Sequence, residues 1–300
     1  MRVNPNTVPD ILADLNQSQS TLNTLLQEVS TGKSVNEPSD NPAAAAQMVQ
    51  NTLETGNVDQ YTQNISSVQA TVQTASSVLS NVVTSLTQAV SLGTQGANGS
   101  ESSDNLQDLA QQVQAILTSV VSAANTTYGG SYLFGGTNSS VEPYTADSSS
   151  ATGYDYNGNS DTNSVEVGDG LTVQTNLPGS QIFSNSSNSV IGALSQLYNA
   201  LSSGTSSDIS SATSAVSSAI SYLGVQQGFY ANAETQLNSQ QTYLQQDTVT
   251  LTTQQNNLIG ANEATVATEL TQAETDNSAI LAAAAKVLPN TLLDYLVAPS

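Results

Sequence analysis

Three hundred residues carry 24 Asp and Glu against three Lys and Arg, a formal net charge of -21, with no histidine and no cysteine. Such a chain has no clustered cations to neutralise nucleic-acid phosphates or an anionic membrane surface. It also lacks the imidazole and thiolate groups of the commonest hydrolytic and zinc chemistry, and packing must supply the stability that disulfides cannot.

The opening Met1-Arg2-Val3-Asn4-Pro5-Asn6 lacks the basic-then-apolar pattern of a secretory signal, and no stretch reaches the ~20 apolar residues of a membrane span. If the chain leaves the cell, it is expected to do so without a cleaved leader. Leu12, Leu15, Leu22, Leu26 and Val29 then keep heptad spacing with Gln19 in the seam, which predicts an amphipathic helix stopped by Gly32.

The next stretch, S-T-G-K-S-V-N-E-P-S-D-N-P-A-A-A-A-Q at residues 30–47, invites three enzymatic readings that its neighbours reject. Gly32-Lys33-Ser34 ends like a phosphate loop, but Gln27 stands where the earlier glycine belongs and a helix, not a strand, leads into it. Ser30-x-x-Lys33 and Ser39-Asp40-Asn41 imitate two elements of the penicillin-recognising enzymes, whose third element, K-T-G, is absent from the chain. Ser39 and Asp40 are instead expected to cap a helix that begins after Pro42.

Val58, Tyr61, Ile65, Val68, Val72, Ala75, Leu79, Val82, Leu86 and Ala89 alternate steps of three and four without a break, a coiled-coil seam. At ~1.5 Å per residue it predicts a rod about 50 Å long. Gly93, Gly96, Asn98 and Gly99 end it, and a second helix is expected from Ser103-Asp104 with Leu106, Leu109, Val113, Ile116, Val120 and Ala123 in its seam.

Between about 136 and 190 the composition turns to Gly, Asn, Ser and Asp. Val165-Glu166-Val167 and Leu171-Thr172-Val173-Gln174-Thr175 flank Gly168-Asp169-Gly170, which predicts a β-hairpin. Asp155, Asn157, Asn159 and Glu166 stand at the first, third, fifth and twelfth places of a calcium loop, with Ser160 where such a loop needs glycine. This is either a polar loop entering the hairpin or a weak extracellular calcium site.

Beyond it Ile209, Ala212, Val216 and Ala219 lead into a seven-residue series, Leu223, Tyr230, Leu237, Leu244, Leu251 and Leu258, with Gln226, Gln240, Asp247 and Gln254 between them. This predicts a long helix that buries one narrow stripe. Val266, Leu270, Ala273, Ile280, Ala284 and Val287 predict another near the carboxyl end. Each terminal helix has only the other, or another chain, to cover it, so both are expected to be largely disordered in a free monomer and to fold on assembly. The eleven tyrosines are scattered through seams and insertion and read as packing groups.

The fold class predicted is mainly α: a long antiparallel coiled-coil or helical-bundle rod built from both termini, with a small β-rich insertion. The expected domains are residues 1–56 with 260–300 for terminal assembly, 57–137 with 185–259 for the rod, and 138–184 as the outer insertion.

A heptad helix followed by residues 30–47 resembles the amino-terminal signature of the flagellin superfamily, and Pro38-Ser39-Asp40-Asn41-Pro42 is similar to the version found in its hook-associated branch. Gly130-Ser131-Tyr132-Leu133-Phe134-Gly135-Gly136-Thr137 resembles that family's exit from the rod. Val167-Gly168-Asp169-Gly170, Leu177-Pro178-Gly179-Ser180-Gln181-Ile182-Phe183 and the ending Leu292-Leu293-Asp294-Tyr295-Leu296 follow in the family's order. Ser34 departs from the basic residue many relatives carry there, and Val297 to Ser300 extend past the usual end.

The resemblance implies a non-enzymatic structural adaptor of the extracellular bacterial flagellum, exported unfolded through the flagellar channel and using no cofactor or metal. It implies a ring of its own copies as partners, with the hook-side junction protein below, flagellin or the filament cap assembly above, and an export chaperone. The expected assembly residues are Leu12, Leu15, Leu22, Leu26, Val29, Val266, Leu270, Ile280, Val287, Leu292, Leu293, Tyr295 and Leu296. A filament subunit, or a calcium-dependent extracellular adhesion protein, stays open as an alternative. With carboxylates titrating near ~4, repulsion between subunits is expected to fade towards that pH.

Overall fold

The structure, a computed structural model, describes residues 7–297, with side chains from 9 to 286. Helix α1 spans Thr7–Thr31, α2 Pro42–Gly96 and α3 Ser103–Ala124; six short strands follow, β1 Thr127–Tyr128, β2 Ser131–Tyr132, β3 Tyr144–Ala146, β4 Tyr154–Tyr156, β5 Ser164–Gly168 and β6 Leu171–Gln174. Helices α4 Gly179–Ile182, α5 Val190–Ser203, α6 Ser206–Ile259 and α7 Glu263–Val297 complete the chain. The protein is mainly α, as the heptads predict. Two compact units divide it, residues up to 57 with those from 246 onward, and residues 58–245.

In the unit of residues 58–245 the seam of α2 is buried as its spacing requires: Ile65, Val72, Leu79, Leu86 and Ala89 are wholly enclosed, while Tyr61 is half-exposed. Its partner is α6, where Val216, Ala219, Leu223, Tyr230 and Leu237 are enclosed in turn. The two run antiparallel: Gln69 Nε2 donates to Asn238 Oδ1 at 2.8 Å, and Gly93 lies against the side chain of Thr213. A Cβ on Gly93 would collide with Thr213 Oγ1, so the missing side chain is what lets the helices close at that level.

Helix α3 corrects its predicted seam. Ser102 Oγ, one residue before the expected cap, accepts from Asn105 N–H. Leu109, Ala110, Val113, Leu117, Val120, Val121 and Ala124 are buried, whereas Leu106, Ile116 and Ala123 are only partly covered. The broader stripe arises because α3 also packs on α5, which heptad spacing did not announce. Almost every residue of α5 from Val190 to Leu197 is buried, so no polar face marks its period.

The β segments form three separate antiparallel pairs, β1 with β2, β3 with β4 and β5 with β6. The predicted hairpin is present, with Val165 opposite Val173, Gly168 opposite Leu171 and a bulge between Glu166 and Gly168. It is held to α2 by Asn64 Nδ2, which donates to the Glu166 carbonyl at 2.9 Å. Aromatic rings fill the base of the insertion: Phe134 meets Phe183 edge-on at 5.2 Å and Tyr144 lies 5.1 Å from Tyr156. The Asn125 amide brackets Tyr144, accepting from its N–H at 2.9 Å and donating to its carbonyl at 2.8 Å. Tyr144 Oη donates to the Gly179 carbonyl, and Tyr230 Oη accepts from Leu177 N–H at 3.2 Å.

In the other unit the α2 seam continues to Asn51, one heptad before Val58. Asn51 is 4% exposed; its Nδ2 donates to the Leu251 carbonyl at 3.0 Å, while its Oδ1 has no hydrogen-bond partner.

Candidate functional site

The terminal helices carry the residues expected to mediate assembly, and α1 packs along α7. Their inward rows are only partly those predicted. On α7, Val266 and Ala284 are buried and Leu270, Ala273 and Ile280 half-buried, all on one face. On α1 the inward row is Ile11, Leu15, Ser18, Leu22 and Leu25, of which Leu25 is buried. Leu12 and Leu26, expected in the same seam as Leu15 and Leu22, lie outside it at 56% and 44% exposure, while Val29 continues the inward row past Leu25 and is 50% exposed. Two rows with the same alternation of three- and four-residue steps run side by side on α1, and heptad spacing cannot choose between them. Val287, Leu292, Leu293, Tyr295 and Leu296 fall outside the described side chains.

The loop between α1 and α2 clasps the turn between α6 and α7. Gly32 adopts a left-handed φ of 67°, ending α1. Ser34 N–H donates to the Ile259 carbonyl at 2.7 Å, and Ala261 N–H returns to the Gly32 carbonyl at 2.9 Å, with Lys33 and Gly260 paired as an isolated antiparallel bridge. Asp40 Oδ2 accepts from the N–H groups of Asn36 and Glu37 at 3.0 and 2.8 Å. The residue that caps α2 is Asn41, not the expected Ser39 or Asp40: its Oδ1 accepts from Ala44 N–H at 3.1 Å, and Pro42 opens the helix. The main-chain donors of a supposed phosphate loop are therefore committed within the fold, Lys33 N–H going to Thr31 Oγ1 and Ser34 N–H to Ile259.

Charge gathers at this clasp. Glu28 has its carboxyl pKa raised, first by partial burial and then by the nearby carboxylates of Glu269 and Asp40. The calcium-like array does not converge. Asn157 Nδ2 donates to Thr145 Oγ1, Asn159 engages Thr137 through both ends of its amide, and Glu166 Oε1 accepts from Tyr61 Oη. Among the described residues no three acidic groups come together to hold a metal ion, and no helix is long and apolar enough to cross a membrane.

Residues 8–139 match the N-terminal helical region of bacterial flagellin. The chain is 31% identical over 175 residues to flagellar hook-associated protein 3 of Salmonella typhimurium, covering 58% of this chain and 54% of that protein. It is 34% identical over 119 residues to the protein of the same name in Escherichia coli, covering 39% and 38%. The chain thus spans about half, or less, of the length of the curated relatives it matches. A solved hook-associated protein-3 from Legionella pneumophila superposes with a TM-score of 0.63 over 70% of this chain and 98% of that one. At 15% identity that likeness concerns the fold alone. Over residues 8–139 the chain is thus similar to the helical region of flagellin, and these curated relatives are named flagellar hook-associated protein 3.

Proposed function

We propose that the chain is a structural adaptor of the bacterial flagellum that stacks through its terminal helices between the hook-side junction protein and flagellin or the filament cap assembly. The single observation that carries this reading is the set of apolar side chains that α1 leaves exposed. Leu12 and Leu26 share a face that the packing of α1 on α7 leaves open, Val29 is exposed beyond the end of the inward row, and exposed apolar side chains of this kind call for a further partner. Export without a cleaved leader, delivery by a chaperone and a ring of copies complete the reading. Residues 1–56 with 260–300 would form the assembly part, 57–137 with 185–259 the body, and 138–184 the outer part.

Replacing Leu12 and Leu26 together by Asp tests it, because both side chains point away from α7 and their loss leaves the inward row untouched. The expected outcome is a folded protein that fails to incorporate, with hooks retained, filaments lost and filament monomers shed into the medium. Normal filaments and swimming would overturn the proposal.

A further inference from the structure

Helix α2 carries a second 3/4-spaced row on the side away from its seam. Pro42, Ala46, Val49, Leu53 and Gly56 follow in steps of four, three, four and three, and all five are exposed, Val49 at 62% and Leu53 at 60%. The pattern is that of a coiled-coil stripe, yet α2 spends its opposite face, Asn51 and Val58, on α6. Gly56 sharpens the question. A glycine inside a helix costs about 0.5–1 kcal/mol relative to alanine, and nothing in this chain lies within 4 Å of the Cβ it omits. Its φ is not in the left-handed region either. No contact within the molecule calls for a glycine there, whereas a helix from outside that approaches closely would.

Charge selects the visitor. At -21, two copies can meet closely only where carboxylates are absent. The α2 row has none. Nor does one face of α1, where Leu12, Asn16, Gln19, Asn23 and Leu26 repeat the same four-three-four-three steps over a span of the same length, all exposed; Asp10, Asp14 and Glu28 lie off that face. Set against each other, the rows place Leu12 and Leu26 at the small ends, Pro42 and Gly56, in either direction. Gln19 falls on Val49, and the Asn side chains meet Ala46 and Leu53. Large meets small, and uncharged meets uncharged.

We infer that the α2 row from Pro42 to Gly56 is the docking face for the outward row of α1 from a second copy of this chain, with Gly56 as the notch that admits a leucine. The contact is heterologous, one surface meeting a different one, so it propagates from subunit to subunit and closes only as a ring. It rests on the proposed adaptor reading and supplies the partner surface that reading lacks.

The chain has no cysteine, so Gln19→Cys and Val49→Cys can be introduced together without competition. Both positions are central to their rows and both are exposed. In flagella isolated from the host cell carrying this variant, mild oxidation is expected to give dimers and a ladder of higher multimers, with neither single variant giving more than a trace. Gly56→Phe, whose Cβ meets nothing within 4 Å in its own chain, should leave the thermal transition of the purified protein unchanged while reducing incorporation at least tenfold.

Protein present in the flagellar fraction without cross-linked multimers would overturn the pairing and leave the adaptor reading standing. So would multimers joined only through position 19, or normal incorporation of Gly56→Phe. Absence of every variant and of the unmodified chain from that fraction would overturn both.

Discussion

The main-chain N–H of Ser34 donates to the carbonyl of Ile259 at 2.7 Å, joining residues 225 positions apart in sequence. With the return bond from Ala261 to Gly32, it holds the loop before α2 against the turn before α7. Ser34→Pro deletes the donor and is expected to cost about 1–2 kcal/mol, read as faster hydrogen exchange in the last turn of α1 and the first of α7. Ser34→Ala, which keeps the N–H and loses the hydroxyl bond to the same carbonyl at 3.1 Å, should change exchange there by less.

Glycines in α2 and α6 should answer oppositely to the same substitution. Gly93→Ala drives a methyl into Thr213 and to 3.1 Å from Leu197 Cδ1, so overpacking of about 1–3 kcal/mol should outweigh the gain in helix propensity. Gly228→Ala meets nothing within 4 Å and should stabilise by about 0.5–1 kcal/mol. Thermal unfolding of the two variants should move in opposite directions.

Asn51 is the polar break in an otherwise apolar stripe, with one amide end bonded and the other unpartnered. Asn51→Leu removes a buried group that is only half satisfied, and such replacements are neutral to stabilising. The expected gain is about 1 kcal/mol in denaturant unfolding; a loss above that size would mean the Leu251 bond matters more than the open acceptor costs.

Acid should affect two places with opposite sign. Glu28 protonates more readily folded than unfolded, so its ionised form weakens the clasp, and local stability rises as pH falls through the raised value towards the ordinary 4.5. Asp208 is held below the ordinary 3.8 by the N–H and hydroxyl of Thr205 at the start of α6. Its contribution is therefore present above that value and lost as pH falls through the depressed one. Exchange protection at the α1–α7 junction should increase from pH 7 to 4.5 and the increase should vanish in Glu28→Gln, while the first turn of α6 opens only in stronger acid.

Burial pushes the phenols of Tyr144 and Tyr230 far above their usual 10.0. A raised folded value means that the stability they lend is intact below about 10 and drains away as pH climbs beyond it. Ultraviolet titration should show both rings ionising only as the fold is lost, and Tyr230→Phe, which leaves Leu177 N–H without its acceptor, should lower stability by about 1–2 kcal/mol.

The long seams were legible because α2 and α6 bury one stripe each: Ile65, Leu79 and Leu86, or Leu223, Leu237 and Leu251, recur at heptad spacing and are all buried. The hairpin at 164–174 was legible from Gly168-Asp169-Gly170 for the same reason. Where a helix touches more than one neighbour the signal blurs, as in α3, and where successive residues are buried, as in α5 from Val190 to Ser195, it disappears. On α1 the failure is of another kind. Leu25 and Ile11 share the inward row with Leu15 and Leu22, while Leu12 and Leu26 stand beside it. The outward row keeps leucines only at its ends, around Asn16, Gln19 and Asn23, so leucine spacing alone could not tell it from the inward one. The cap of α2 was misplaced by one residue because Ser39, Asp40 and Asn41 can all cap a helix; only Asp40's engagement with Asn36 and Glu37 leaves the task to Asn41.

The two ends of the insertion are tied together by the bond of 2.7 Å from Gly179 N–H to the Phe134 carbonyl. Closing a flexible segment on a fixed gate costs free energy only as the logarithm of its length, about 0.6 kcal/mol for each doubling. Only the exposed turn between β3 and β4, around Ser148, Ser149 and Ala151, can be lengthened or exchanged at that small expense, because the β5–β6 hairpin buries Val167 and Val173 and is bonded to Asn64. The tip is thus free to diverge, and to serve as a display position for grafted epitopes, while the helices beneath stay under constraint.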